Sequence, residues 1–222
     1  MKRLVILVVV TICSDPVPAM HGPYAGVGVG YANTIFDVHR YRLVTAPITR
    51  QVWQSFHGIA DGVQGQLVVG YVYDVNKFRL GAEMFVQMPR TTQADYGDRY
   101  YRYEFTYAYG ANFIAGYYVT DCALTYFKIG AARGRFAYQD ASNEGYSVLK
   151  TSFNSSGLNL GFGIEKYLTR SIGLKLEYLY TNYIPQKFIS NIVEDGVAVM
   201  VENKIQPQVH TVLLGMNYHF NL

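Results

Sequence analysis

The stretch YEFTYAYGANFIAGY, residues 103–117, alternates in chemistry at every step. Tyr103, Phe105, Tyr107, Tyr109, Ala111, Phe113, Ala115 and Tyr117 form one set; Glu104, Thr106, Ala108, Gly110, Asn112, Ile114 and Gly116 form the other. Successive side chains leave opposite faces of a β-strand, whereas a helix would scatter the same residues around its circumference. The stretch therefore reads as a strand with one aromatic face and one small or polar face. Which face meets water decides the fold.

The same period of two recurs along the chain. It predicts strands over residues 24–31, 63–73, 78–86, 103–117, 124–135, 156–167, 172–180 and 209–220, eight in all. The first contains Gly26, Gly28 and Gly30, a spacing that could serve a phosphate loop. No helical pattern follows and the alternation runs straight through it, so the strand reading is preferred. Links alternate in length. Short ones follow strands two, four and six, and long ones cover residues 36–62, 88–102, 136–155 and 183–208. Hairpins that turn tightly at one end and loosely at the other describe an all-β, antiparallel, up-and-down sheet.

If the apolar faces met in the middle, the sheet would have to enclose many tyrosines whose hydroxyls need partners when buried, in an eight-stranded interior with room for modest side chains. Turned inside out, both faces make sense: small and polar residues fill a narrow lumen, and Leu, Val, Ile, Phe and Tyr form an outer band. Strands near the roughly 9 to 11 residues needed to cross a bilayer tilted, with Tyr71, Tyr73, Tyr117, Tyr178, Tyr218 and Phe220 near strand ends, suit an eight-stranded transmembrane β-barrel. Closure also removes the edges that lipid cannot hydrogen-bond. Arg79, Glu83, Glu104, Lys128, Glu165, Lys175 and Glu177 all fall on the small-residue face. Three cations and four anions make that interior nearly neutral. Glu165 and Lys175, on either side of a short turn, are expected to pair, and the group reads as a salt-bridge plug in preference to an ion path. Asn112→Leu is expected to be tolerated better than Tyr109→Arg.

Composition sets the remaining bounds. The 222 residues carry a net charge of +3 with no Lys/Arg cluster, which argues against a nucleic-acid partner. Lys2 and Arg3, the apolar run 4–12 and the small residues before Met20 read as an export leader over residues 1–19, leaving 20–222 as the barrel domain. Removing the leader would leave Cys122 as the sole cysteine, without an internal partner.

The leader, the eight alternating strands, the short turns against long loops and the ending from Val212 to Phe220 together resemble the small outer-membrane β-barrels of the OmpA-like transmembrane-domain and opacity-protein type. The resemblance covers essentially the whole mature chain and implies a Gram-negative outer-membrane location, short turns in the periplasm and long loops outside; because no catalytic set is found among the residues, the barrel is expected to be non-enzymatic. It also implies that Val212, Leu214, Met216, Tyr218 and Phe220 signal to the outer-membrane assembly machinery, although Asn221 and Leu222 here follow the usual terminal aromatic. Partners would be outer-membrane lipid and lipopolysaccharide and a host or cell-surface ligand, with the chain a monomer.

The first loop sets Trp53 and other aromatics beside Arg40, Arg42 and Arg50, a mixture suited to lipopolysaccharide phosphates or a host surface. The simpler reading, which is preferred, is that the strands continue above the membrane. In the fourth loop, Asp195-Gly196 between β-branched runs predicts a projecting two-stranded ribbon. No catalytic, metal or cofactor set stands out. His210 points to lipid with no serine and acid beside it, and His39 and His57 lack a ligand cluster. A lipid A-modifying enzyme and a narrow solute pore are the alternatives.

Overall fold

Alternation of apolar with small or polar residues produces nine antiparallel strands among the described residues: β1 (His21–Thr45), β2 (Ile48–Val75), β3 (Phe78–Thr91), β4 (Arg99–Thr120), β5 (Ala123–Ser142), β6 (Leu149–Tyr167), β7 (Ile172–Tyr183), β8 (Gln186–Glu194) and β9 (Val197–His219). The computed structural model describes residues 21–45, 48–91, 99–142, 149–194 and 197–220; the leader and the Asp195-Gly196 turn lie outside them. Each strand pairs with the next up to β7, β7 pairs with β9, and β9 pairs with β1, which closes a ring of eight.

The ninth strand is the continuation of the seventh. Asn182 of β7 stands opposite Gln208 and Gln186 of β8 opposite Ile205, so both run along the same edge of β9. The break between them falls at Ile184-Pro185, where proline has no N–H to donate to a ladder. β8 and β9 form the ribbon expected from the fourth loop, with Glu194 opposite Val197. The turn between β2 and β3 is tight, and Asn76 takes φ 55°, a left-handed conformation that asparagine tolerates better than most residues.

The apolar set faces out. Val27, Val29, Leu67, Val69, Met84, Phe113, Phe127, Leu176 and Leu214 are all exposed on the outer wall, Phe113 at 72%. Gln64, Gln66, Arg79, Glu83, Asn112, Lys128, Asn159, Lys175 and Glu177 are buried inside. A soluble barrel would reverse these two sets. The first long link is not a loose loop. β1 and β2 pair without a break from His21–Tyr73 up to Arg40–Gln54, then resume after one register shift to Thr45–Ile48, so the strands continue above the apolar band.

Two expectations fail at one place on β4. Phe105 pairs with Phe136 and Tyr107 with Arg135, leaving Thr106 as an extra residue in a β-bulge. The bulge inverts the alternation on its long-hairpin side. Phe105 is buried inside, and Glu104 moves to the outer wall opposite Ala137. Glu104 is therefore not part of the lumen charge group. A strict period of two cannot survive an inserted residue.

Inward glycines let strands and contents approach. A Cβ on Gly130 would fall 2.7 Å from Cα of Asn112 on the neighbouring strand, while one on the outward Gly65 meets nothing within 4 Å. Gly130→Val is expected to destabilise the barrel by about 1–3 kcal/mol or more, and Gly65→Val by less than about 0.5 kcal/mol. Urea titration in detergent micelles measures both, and equal effects would contradict the packing described.

Candidate functional site

The lumen is filled by a polar ladder that begins at the short-turn end. Arg79, the second residue of β3, stands opposite Asp74 and donates to it twice, Nε to Oδ1 at 2.7 Å and Nη2 to Oδ2 at 2.8 Å. Its remaining donors reach the hydroxyls of Tyr118 at 2.5 Å and Tyr167, and Nη1 lies 3.8 Å from Glu165. Asn217 and His219 of β9 approach the other oxygen of Glu165 at 2.9 and 3.1 Å. Such a fork-to-fork guanidinium pair has the geometry that makes buried ion pairs tenable.

One layer further in, Lys128 joins two carboxylates. Its Nζ lies 2.7 Å from Glu83 and also contacts Glu177, whose other oxygen is 3.1 Å from Lys175. Tyr24 donates to Glu83 and Tyr126 to Glu177, each at 2.7 Å. Asn112 donates to Glu83 at 3.0 Å, Asn159 to Asn112 at 2.8 Å, and Thr181 to Asn159 at 2.8 Å, so the ladder crosses the whole interior. Tyr24 and Tyr126 are thus held where carboxylates accept their hydroxyls.

Toward the long hairpins the contents change character. Phe36, Phe105, Phe136 and Tyr183 are buried together. Phe105 and Phe136 are stacked at 5.0 Å between centroids, and Tyr183 stands edge-on to Phe136 at 4.9 Å. Arg40 lies above them and donates from Nη2 to the Tyr138 hydroxyl at 2.9 Å. The lumen is therefore occupied by an ionic layer and an aromatic layer in series.

The structure brings Arg79, Glu83, Lys128, Glu165, Lys175 and Glu177 into the interior, and Glu104 outside it. Glu165 and Lys175 face each other in register, but the expected pair between them is replaced. Glu165 turns to Arg79 and His219, and Lys175 to Glu177 two residues along its own strand. Asp74, Tyr24, Tyr126, Tyr167 and His219 were not singled out from the sequence. Strand parity places Tyr126 with Lys128, and that signal could have found it; Asp74 adjoins the β2–β3 turn, where the alternation gives no sign of a lumen role.

Arg40 does not belong to a surface site. It is buried, because its place on β1 has the inward parity of Phe36 and Val38. Arg42 is exposed, and the side chains of Arg50 and Trp53 lie outside the described residues. On the outer wall, His57 pairs with Asp37 at 2.6 Å and His39 with Ser55 at 2.5 Å, and no three potential metal ligands converge among the described residues. His210 faces outward and bonds the Tyr178 hydroxyl through Nδ1 at 2.7 Å. Val212, Leu214, Met216, Tyr218 and Phe220 line the outer face at the end of the chain, and Phe220 N–H still bonds Pro23 of β1 at 3.0 Å. Cys122 is buried at the turn between β4 and β5, its Sγ 3.7 Å from the Thr120 hydroxyl, and Cys13, the other cysteine of the sequence, lies outside the described residues.

A relative, the 31 kDa outer-membrane immunogenic protein of Brucella melitensis, is 28% identical over 209 residues, covering 90% of this chain and 83% of that protein. Among solved structures, OprG of Pseudomonas aeruginosa superposes with a TM-score of 0.59 at 15% identity, over 93% of this chain and all (100%) of that one. The outer-membrane protease OmpT of Escherichia coli superposes at 0.52 with 7% identity, over 89% and 97%. These two likenesses concern the fold. The outer-membrane protein beta-barrel domain matches residues 5–220, and together with the closed ring, the outward apolar band and the filled lumen this makes the chain a member of that outer-membrane family.

Proposed function

We propose that the chain is a non-enzymatic outer-membrane barrel whose sealed lumen anchors the continuation of its strands outside the cell, where they meet lipopolysaccharide, other cells or a host surface. The observation that carries this reading is the pair of closed layers, the Arg79 to Glu177 ladder and the Phe36 to Tyr183 cluster, which leave the interior to structural side chains. In this reading the short turns lie in the periplasm, residues 1–19 are removed on export, and the protein is a monomer. The exposed row from Val212 to Phe220 is what the assembly machinery meets.

The purified, folded protein is expected to be silent in planar lipid bilayers, and stepwise conductance would favour a solute pore instead. Lipid A from a strain overproducing the protein is expected to keep its mass; a shifted mass would favour the enzyme reading. The orientation has its own check. Lys187 on β8, with 60% of its side chain exposed, should react with a membrane-impermeant amine reagent in intact cells, and protection there would reverse the assignment of the two ends.

A further inference from the structure

The outer wall changes chemistry abruptly on β5. Phe127, Ile129 and Ala131 face out, and the next two outward positions are Arg133 and Arg135. Tyr109 and Tyr107 of β4 stand directly opposite them, with their own rings stacked at 6.5 Å, and β6 sets Ser156 and Asn154 on the other flank. One strand further, β3 pairs Val86 with Tyr109 and carries the outward Met88 and Arg90 beyond it. The β4 bulge contributes too, since it keeps Thr106 and Tyr107 both on the outer side.

Among the described residues, Arg90, Arg133 and Arg135 form no ion pair, in contrast to Arg79 and Lys128 in the lumen. Glu104 is the nearby outward carboxylate, placed opposite Ala137 on the far side of the bulge, and it has a partner of its own. Two guanidinium groups two residues apart on one strand face, with hydroxyl and amide donors beside them, are suited to tetrahedral phosphate oxygens.

Height selects the source of that phosphate. Arg133 and Arg135 stand ten and twelve residues beyond Ala123, the start of β5. At about 3.3 Å per residue and a tilt near 40°, that places them roughly 25 to 30 Å above the short turns, at the upper rim of an apolar band about 25 Å tall. A soluble anion would have no use for the apolar wall below. A lipid uses both.

We propose that Arg133 and Arg135, flanked by Tyr107 and Tyr109 and with Arg90 alongside, bind the phosphate of an outer-leaflet phosphorylated glycolipid, whose acyl chains lie along Phe127, Ile129 and Ala131. The proposal rests on the orientation given above, with the long hairpins outside, and on nothing in the loops. The labelling of Lys187 tests that orientation separately.

The test is binding of bisphosphorylated lipid A to the full, folded chain in detergent, against the same lipid enzymatically dephosphorylated. The wild type is expected to prefer the phosphorylated form by at least about tenfold, as two charge-assisted contacts require. R133Q/R135Q should abolish the preference, and R170Q at the opposite end should keep it. Heat-modifiable migration confirms that each variant is folded. Equal binding of both lipids, or an unchanged preference in R133Q/R135Q, overturns the proposal. Competition by millimolar inorganic phosphate that matches lipid A, or heparin binding lost in R133Q/R135Q while lipid A binding is retained, would also overturn it in favour of a soluble anion.

Discussion

Lys128→Met is expected to destabilise the folded barrel by about 3–5 kcal/mol, the range for removing one partner of a buried ion pair. Lys128 is 2% exposed and stands between Glu83 and Glu177. Methionine keeps the length of the side chain and removes its charge, so the loss is electrostatic. Two carboxylates would then share a dry space with Lys175 as the nearest cation, and it touches only Glu177. The double change Lys128→Met, Glu83→Gln removes the uncompensated carboxylate while keeping the volumes and leaving Glu177 to Lys175, and should recover most of the loss. Lys187→Met is the exposed control. Its pair with Glu202 is long, at 3.8 Å, and its loss should cost less than about 1 kcal/mol. Urea midpoints in detergent micelles measure all three. A Lys128→Met barrel as stable as the wild type would mean that the ladder fills the lumen without holding it together.

The ladder also shows where the sequence is legible. Strand parity places Arg79, Glu83, Lys128, Glu165, Lys175 and Glu177 on one face because a filled barrel keeps that parity along its length. It does not give the partners. Cross-strand proximity across a tight turn suggests Glu165 with Lys175, but side chains of this length reach across the narrow interior, so Glu165 finds Arg79 and His219 from opposite walls. Parity fails at Thr106, where a bulge turns Phe105 in and Glu104 out. Threonine there is compatible with a regular strand, and nothing local in the sequence marks the insertion. The strand ends are only partly legible. The long links look irregular because their outward residues become polar above the membrane, while their backbone pairing continues, as β1 and β2 do up to Thr45 and Ile48.

Phe113→Arg is expected to cost about 2–4 kcal/mol of folded-state stability in a lipid bilayer, the range for a cation near the midplane on a barrel's outer wall. Phe113 is the most fitting position for this measurement. It is 72% exposed, opposite Ala82 on β3 and Ile129 on β5, with apolar neighbours above and below on its own strand. Tyr109→Arg, four residues nearer the long hairpins and directly opposite Arg133, sits at the interface, where the same cation costs only about 0–1 kcal/mol. Asn112→Leu meets a different obstacle. Its amide bonds both Glu83 and Asn159, and leaving those buried partners unsatisfied costs about 1–3 kcal/mol. The ranking expected from alternation alone, Asn112→Leu milder than Tyr109→Arg, is therefore reversed: the inner wall is polar because it is bonded, not because it is wet. The order Phe113→Arg, Asn112→Leu, Tyr109→Arg, from most to least damaging, is read from refolding titrations in lipid vesicles. Phe113→Arg proving the mildest of the three would place that face in water and overturn the outward assignment of Tyr109, Phe113 and Tyr117 in the aromatic strand.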